Sequence, residues 1–171
     1  MTTIILDREA KKLYADMRCS HNLMDDPDFV VPCDTTDKVH YGRDCFIAGS
    51  GNLNHILQFL SDHLNEIIPR PIPISSSASS NRSTVWMVSP SGNVTAYQSY
   101  LSKGLFSNKV RWMNIPIDNT KRFSVIGSGS KYAEAVLYAT GNVDKAMKAA
   151  AAFDPYTSFM YKETDITEVA S

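Results

Sequence analysis

A threonine close to the start of the chain is the first residue whose type and position could support chemistry. The sequence begins Met1-Thr2-Thr3, and removal of Met1, which a small second residue favours, would leave Thr2 with a free α-amine. A threonine hydroxyl is a weak nucleophile near neutral pH and needs a base. An α-amine, with a reference pKa of about 7.7–8.0, can be that base directly or through a water molecule. Thr2 is therefore a candidate nucleophile that would carry its own base, and the competing interpretation is a threonine that is simply the second residue of an ordinary strand.

Two charged residues further along the chain could tune this pair of groups. A nearby lysine cation lowers the pKa of an amine by like-charge repulsion, and a carboxylate would hold that lysine charged and in place. Asp16 and Lys38, each on or next to a predicted strand, are the candidates. The competing interpretation is an ordinary surface ion pair, which contributes about 0–1 kcal/mol.

The elements that must position these residues are predicted to be two hairpins. Residues 2–6 are β-branched and apolar, which favours a strand, and residues 12–18 alternate between apolar and polar across a polar turn. The proline-broken segment 20–37 predicts a loop with a short strand at 29–31. A second hairpin is expected from 38–41 and 44–48, turning at Gly42-Arg43.

The clearest helix signal follows the second hairpin, over residues 52–66. Apolar residues recur there with a helical period, and Asn52 is a suitable N-cap. Prolines in the run 69–73 end the helix, and the Pro- and Ser-rich run 69–83 predicts a linker within the domain. The expected buried stripe consists of Leu53, Ile56, Leu57, Leu60, Leu64 and Ile67.

The second half of the chain predicts further strands and two helices. Residues 84–89 and 94–97 flank the turn signal Pro90-Ser91-Gly92-Asn93, whereas residues 98–120 show no sustained period. The remaining predicted elements are a strand at 122–126, a helix at 131–140, a helix from Asn142 to about Phe153 and a strand at 156–161. Strand hairpins combined with grouped helices are typical of the α+β class.

Length, charge and cysteine count exclude several kinds of protein. The 171 residues fit a single domain over 1–171, and 17 basic against 18 acidic residues argue against nucleic-acid binding through a basic field. Three cysteines at spacings of 14 and 12 suit neither a zinc motif nor a disulfide framework, so no metal or cofactor site is expected. No apolar run approaches the ~20 residues of a membrane helix. We expect a cytoplasmic protein without a membrane partner.

Six segments, in order along the chain, resemble one family. Each of them alone is a common motif, but together they span residues 2 to about 160 and start at the N-terminal threonine. They are similar to segments of proteasome β-subunits and of the bacterial HslV peptidase, which are N-terminal-nucleophile hydrolases. The segments are Thr2-Thr3-Ile4, Ala15-Asp16-Met17-Arg18, Asp37-Lys38-Val39, Ile47-Ala48-Gly49-Ser50-Gly51, the run from Ile126 to Ala133, and Asp154-Pro155-Tyr156-Thr157.

The resemblance implies a fold and a set of site residues. The implied fold is a four-layer αββα sandwich of antiparallel sheets. Thr2 would be nucleophile and base, with Asp16 and Lys38 as its orienting pair. The backbone amide of Gly49 would bind the oxyanion, with Gly51 as the alternative donor. The supporting hydrogen-bond network around the Thr2 amine would consist of Ser128, Asp154 and Thr157.

One segment departs from the family pattern. The run 69–83 stands where the family places a second helix against its first long one. We therefore expect the second helix of the first helical layer to be missing, with residues 98–120 as the candidate replacement cover.

The function implied is that of a threonine-type endopeptidase cutting unfolded polypeptides. The resemblance implies a homo-oligomeric ring, and the absence of a Walker A loop at Gly127-Ser128-Gly129-Ser130 means that any ATP-dependent unfoldase would be a separate protein. Two alternatives stay open. One is a catalytically inactive structural or assembly subunit that retains Met1, and the other is an amidase acting on a small molecule.

Overall fold

The computed structural model describes residues 2–22, 30–34, 36–73, 82–103 and 108–167. Runs of strands separated by one helix and then by a helix pair make this an α+β protein. The elements are β1 (Thr3–Asp7), β2 (Lys12–Asp16), β3 (Cys19–Asn22), β4 (Val30–Cys33), β5 (Val39–Tyr41), β6 (Phe46–Ser50), α1 (Leu53–Leu64), β7 (Ile72–Pro73), β8 (Thr84–Val88), β9 (Val94–Lys103), β10 (Asn108–Ile115), β11 (Phe123–Gly127), α2 (Ser130–Thr140), α3 (Val143–Phe153) and β12 (Tyr161–Asp165).

Two antiparallel sheets stack face to face and carry helices on their outer surfaces. The smaller sheet has the order β11-β1-β2-β12, and the larger has the order β5-β6-β8-β9-β10-β7. Ile4 and Leu13 of the smaller sheet pack against Phe46 and Trp86 of the larger one. Helices α2 and α3 cover the smaller sheet, and α1 covers the larger sheet. The predicted four-layer αββα sandwich is confirmed.

Strand β1 lies in the middle of the smaller sheet, paired with β2 on one side and β11 on the other. Its side chains alternate between two apolar environments. Ile4 and Leu6 enter the core between the sheets, whereas Ile5 packs beneath α2 and α3. Burial on both faces explains why the sequence of this strand is almost entirely apolar. The same burial holds the residues at the start of the strand in a fixed position.

Helix α1 has the predicted N-cap but buries a different face from the one expected. The Asn52 side chain accepts hydrogen bonds from the first amides of the helix. Leu57, Leu64 and Ile67 of the predicted stripe are 43%, 44% and 41% exposed, so that prediction is wrong for them. The buried side chains are His55, Ile56, Phe59 and Asp62.

Two sets of contacts explain why α1 buries this face rather than the predicted one. The Phe59 ring lies 5.1 Å from that of Tyr97 and 5.0 Å from that of Trp112. Asp62 accepts hydrogen bonds from Gln58 and from the backbone and guanidinium of Arg70. The hydrogen-bonded Asp62 carboxylate and the aromatic cluster around Phe59 therefore determine which face of α1 is buried. The leucines of the predicted stripe do not determine it.

Among the described residues, α1 is the single helix on the outer face of the larger sheet, as predicted. The region 98–120, which has no sustained sequence period, contains most of the long hairpin β9–β10. Trp112 of this hairpin packs on Phe59, so the hairpin supplies part of the cover. Within the predicted linker, β7 pairs with β10, and residues 74–81 lie outside the described part of the chain.

Two further predictions need correction. β3 (Cys19–Asn22) lies mostly where a loop was expected, whereas its partner β4 (Val30–Cys33) overlaps the short strand predicted at 29–31; residues 23–29 are not described. The last strand starts at Tyr161 rather than Tyr156, because the preceding residues form a turn in which the Thr157 amide donates to the Asp154 carbonyl. No helix in the described ranges is long and apolar enough to cross a membrane.

Candidate active site

Thr2 lies immediately before β1 and is buried. Its backbone runs against Gly127 at the end of β11, which has a φ of +107°. A Cβ atom on Gly127 would lie 1.7 Å from the Thr2 carbonyl oxygen. Glycine is therefore required at position 127, both for its backbone conformation and for this close approach.

The Asp16 carboxylate, at the end of β2, accepts hydrogen bonds from four parts of the chain. Its Oδ2 accepts hydrogen bonds from the Thr2 hydroxyl and, at 2.6 Å, from the Thr3 amide. The donors to Oδ1 are Lys38 Nζ at 2.9 Å, the Arg18 amide at 3.0 Å and the Ser158 amide at 3.3 Å. A carboxylate with this many donors is held in one orientation.

Lys38 precedes β5, and its side chain is 9% exposed. Its ammonium donates to the Thr2 hydroxyl oxygen and to Asp16. Burial lowers the pKa of Lys38, and the Asp16 carboxylate partly opposes that effect. The Thr2 hydroxyl thus donates to a carboxylate and accepts from an ammonium, which is the arrangement predicted for the nucleophile and its orienting pair.

A second hydrogen-bond cluster lies beside the first. Asp154, the C-cap of α3, accepts hydrogen bonds from the Ser128 hydroxyl and, at 2.7 Å, from the Thr157 hydroxyl. Thr157 Oγ1 lies 2.7 Å from Thr3 Oγ1 and accepts from it, because its own proton points to Asp154. The three predicted network residues therefore lie together, but the contact they make is to the Thr3 hydroxyl, whereas the network was predicted around the Thr2 amine.

Gly129, the N-cap of α2, lets this second cluster form. A Cβ atom there would lie 2.2 Å from Thr3 Oγ1 and 2.9 Å from Thr157 Oγ1. Where β11 leads into α2, the lack of a side chain at Gly127 leaves room for the Thr2 carbonyl group, and the lack of one at Gly129 leaves room for the Thr3 and Thr157 hydroxyls. In the sequence these glycines are equally compatible with a plain turn at the start of a helix.

The predicted oxyanion donor is already engaged. The Gly49 amide, near the end of β6, donates to the Lys38 carbonyl oxygen at 3.2 Å. Binding of an oxyanion by Gly49 therefore requires this hydrogen bond to be shared or exchanged. Gly51, the alternative, has a φ of +120° and passes close to Ser83.

Three residues of the site were missed by the sequence reasoning. Ser158 contributes only its backbone amide to Asp16, a contact for which the sequence offers no signal. Thr3 joins both clusters through its amide and hydroxyl. Arg18 binds Asp34 with two nitrogens and the Pro155 carbonyl with a third, so it ties β2 to the turn after α3. Its place in the Asp-x-Arg segment was the available signal.

Comparison with known proteins finds similarity at the level of the fold. No protein-family model matches the chain, and no curated protein matches it. A eukaryotic HslV from Trypanosoma brucei is 13% identical and superposes with a TM-score of 0.56, covering 95% of this chain and 97% of that one. The superposition therefore includes almost the whole of both chains.

Two further solved structures are similar in the same way. BPH from Thiobacillus denitrificans, in complex with epoxomicin, is 14% identical with a TM-score of 0.57, covering 95% of this chain and 96% of that one. Anbu from Yersinia bercovieri, described as an ancestral beta-subunit, is 10% identical with a TM-score of 0.57, covering 99% and 84%. The chain therefore has the fold of proteasome-like N-terminal-nucleophile hydrolases.

Proposed function

We propose that this chain is a threonine-type peptidase whose nucleophile is Thr2, exposed by removal of Met1. The observation that carries the proposal is the environment of the Thr2 hydroxyl. It is buried at the start of a central strand and contacts both the Lys38 ammonium and the Asp16 carboxylate. A buried ion pair is costly unless its geometry is well satisfied, and here the Lys38–Asp16 pair is satisfied around the Thr2 hydroxyl.

In the proposed reaction, the Thr2 hydroxyl turns its proton from Asp16 to the free Thr2 amine, and Oγ1 attacks the carbonyl carbon of a peptide bond as the amine accepts that proton. The protonated amine then passes that proton to the leaving nitrogen as the C–N bond breaks, which leaves an acyl ester on Thr2. Water, deprotonated by the same amine, attacks the ester carbon. The hydroxyl is regenerated and the carboxylic acid is released.

Lys38 and Asp16 have complementary parts in this scheme. The Lys38 cation favours the neutral form of the Thr2 amine by like-charge repulsion and stabilises negative charge developing on Oγ1. Asp16 keeps Lys38 in contact with Oγ1 through its 2.9 Å ion pair. Ser128, Asp154 and Thr157 position the Thr2–Thr3 segment through the Thr3 hydroxyl. The amide of Gly49 or Gly51 is the proposed oxyanion donor.

The test measures processing and activity in the same preparations. Intact mass reports whether Met1 is removed, a fluorogenic peptide reports hydrolysis, and epoxomicin reports a reactive N-terminal threonine as a mass increase. Thr2→Ala is expected to abolish hydrolysis and labelling. Thr95→Ala, a change on the exposed side of β9, is the matched control and keeps both. Unchanged hydrolysis in Thr2→Ala would refute the proposal.

The proposed substrate is unfolded polypeptide, and the proposed assembly is a homo-oligomeric ring in the cytoplasm, supplied by a separate ATP-dependent unfoldase. Support for self-association comes from the helical assembly described for Anbu from Pseudomonas aeruginosa, which has a TM-score of 0.55 with this chain. Light scattering on the purified chain tests the assembly. A monomer at every concentration would contradict it.

A structural or assembly subunit without activity is the second candidate. The observation that favours it is the hydrogen bond from the Gly49 amide to the Lys38 carbonyl, which occupies the predicted oxyanion donor. If Met1 is retained, the Thr2 nitrogen is an amide and has no basic lone pair. An intact mass that includes Met1, together with no hydrolysis and no labelling, would select this alternative.

A further inference from the structure

Three side chains that bind metals well meet at the far end of β6 from Gly49. Asp44 and Cys45 lie between β5 and β6, and His63 lies in the last turn of α1. Their ligand atoms all lie within 4.8 Å of one another. We propose that Asp44, Cys45 and His63 form a zinc site that fastens the end of α1 to the β5–β6 turn.

The distances fit a common metal ion. Cys45 Sγ lies 3.7 Å from His63 Nε2, and His63 Nε2 lies 3.9 Å from Asp44 Oδ1. Zinc bonds of about 2.0–2.3 Å in tetrahedral geometry place neighbouring ligand atoms about 3.3–3.6 Å apart. The Asp44 side chain is 86% exposed and free to adjust, so a small side-chain movement closes the site.

The same atoms do not fit a catalytic cysteine. In a nucleophile–base–orienting triad the thiol and the carboxylate bind opposite nitrogens of the imidazole. Here both approach Nε2. Burial also raises the pKa of the Cys45 thiol to about 11, which is unfavourable for a thiolate nucleophile. Three donors that converge on one point are the pattern expected around a cation.

Gly42 supplies a second observation in favour of a built site. Its amide donates to the Cys45 carbonyl at 2.7 Å, which closes the turn. A Cβ atom on Gly42 would lie 3.1 Å from both Cys45 Sγ and His63 Nε2. The backbone thus leaves open the space beside the two donor atoms, and a side chain at position 42 would fill it.

Zinc is the metal that the donor set favours. A thiolate, an imidazole and a carboxylate are the usual zinc ligands, and solvent at the exposed edge would take the fourth position. On binding, the Cys45 S–H bond is broken, the sulfur–metal bond forms and one proton is released to solvent. The sequence spacing predicted no metal site, since Cys45 and His63 approach only through the packing of α1 on β6.

The site also has a structural consequence in this fold. Helix α1 is the single described helix on its face, and the Arg43–Glu66 ion pair joins the same two segments beside the proposed ion. A metal there would add a cross-link between helix and sheet. Binding energy would then appear as folding stability.

The test uses the full chain, stripped of metal by a chelator and titrated with Co²⁺ as a spectroscopic probe and then with Zn²⁺. We expect one Co²⁺ per chain with a thiolate-to-cobalt charge-transfer band that Zn²⁺ displaces. Zn²⁺ at about 100-fold its Kd is expected to raise Tm by about 5–10 °C. Absence of binding at one ion per chain would overturn the proposal.

Variants locate the ion. Cys45→Ala is expected to lose the charge-transfer band, whereas Cys19→Ser keeps it; the reverse result would overturn the assignment. Because Cys45 is buried, a second pair of variants avoids any folding defect. Asp44→Ala, on an exposed side chain, is expected to weaken Zn²⁺ binding by about 10–100-fold or more. Asp118→Ala, also on a solvent-exposed aspartate, is expected to leave it unchanged, and equal effects of the two changes would contradict the site.

Discussion

Two buried carboxylates flank the Thr2–Thr3 segment, and their partners differ in kind. Asp16 faces the Lys38 ammonium and also accepts from the amides of Thr3, Arg18 and Ser158. Asp154 accepts from the hydroxyls of Ser128 and Thr157 and, at 3.3 Å, from the Tyr156 amide.

Because their partners differ, the two carboxylates have different roles: that of Asp16 is electrostatic and that of Asp154 is positional. Removing the Asp16 charge leaves a buried lysine cation without its counter-ion, and such a loss is strongly destabilising. Removing the Asp154 charge leaves only neutral donors to satisfy, two hydroxyls and the Tyr156 amide. We infer that Asp16 sets the charge at the proposed nucleophile Thr2, whereas Asp154 sets where Thr2 lies.

The largest effect is expected for Asp16→Asn. Peptidase activity should fall by about 10⁴-fold, the size of effect seen when an orienting carboxylate is made neutral in another hydrolase. The free energy of unfolding should fall by about 3–5 kcal/mol, because Lys38 loses its counter-ion. Peptide hydrolysis and urea denaturation measure the two quantities, with Asp118→Asn at the protein surface as the control.

Lys38→Met should separate catalysis from stability. Activity should fall by about 10³-fold, since no cation remains at the Thr2 hydroxyl. The loss of stability should be smaller than for Asp16→Asn, about 1–3 kcal/mol, because three backbone amides still bind the carboxylate. If Lys38→Met proves the more destabilising variant, the backbone amides do not support Asp16 as inferred.

Asp154→Asn is expected to have a milder effect. Activity should fall by about 10–100-fold and stability by about 1.5–3 kcal/mol, the contribution of hydrogen bonds to a charged group. The pH profile of the remaining activity should match that of the wild type, because the groups that titrate at Thr2 are unchanged. A displaced profile would show that Asp154 acts through charge, and the contrast with Asp16 would fail.

The smallest expected effect is on the pH dependence of stability. Burial lowers the pKa of Lys38 below its ordinary value of 10.5. Between the folded and unfolded pKa values the unfolded chain binds more protons, so the Lys38 contribution to the free energy of unfolding rises with pH across that window. Below the folded pKa it is constant. Denaturation of wild type and Lys38→Met over alkaline pH measures the difference, and a flat difference would contradict the direction of the shift.

The sequence allowed the short-range parts of the site to be predicted. The β-branched and apolar run at residues 2–6 identified the first strand, and Asn52 was a recognisable helix N-cap that the structure confirms. The helix predicted to begin at Asn142 is also present, with Asn142 as its N-cap. Asp16 and Lys38 were identified as partners because a terminal amine base calls for a nearby lysine held by a carboxylate, and because their segments resemble those of proteasome β-subunits and HslV.

Contacts that depend on distant packing were not predictable. The buried face of α1 follows from Asp62 binding Arg70 and from Phe59 meeting the aromatic rings of the β9–β10 hairpin, which helical periodicity does not encode. The Ser158 amide at Asp16 depends on backbone geometry alone. The hydrogen bond of the Gly49 amide likewise follows from the pairing of β5 with β6.

The central place of β1 has a practical consequence for making the protein. Thr2 is enclosed between β2 and β11, with Gly127 against its carbonyl group. Any affinity tag joined to the Thr2 nitrogen would convert the proposed base into an amide. Tags for activity measurements therefore belong at the other end of the polypeptide, since under the proposed mechanism a preparation tagged ahead of Thr2 would be inactive even when correctly folded.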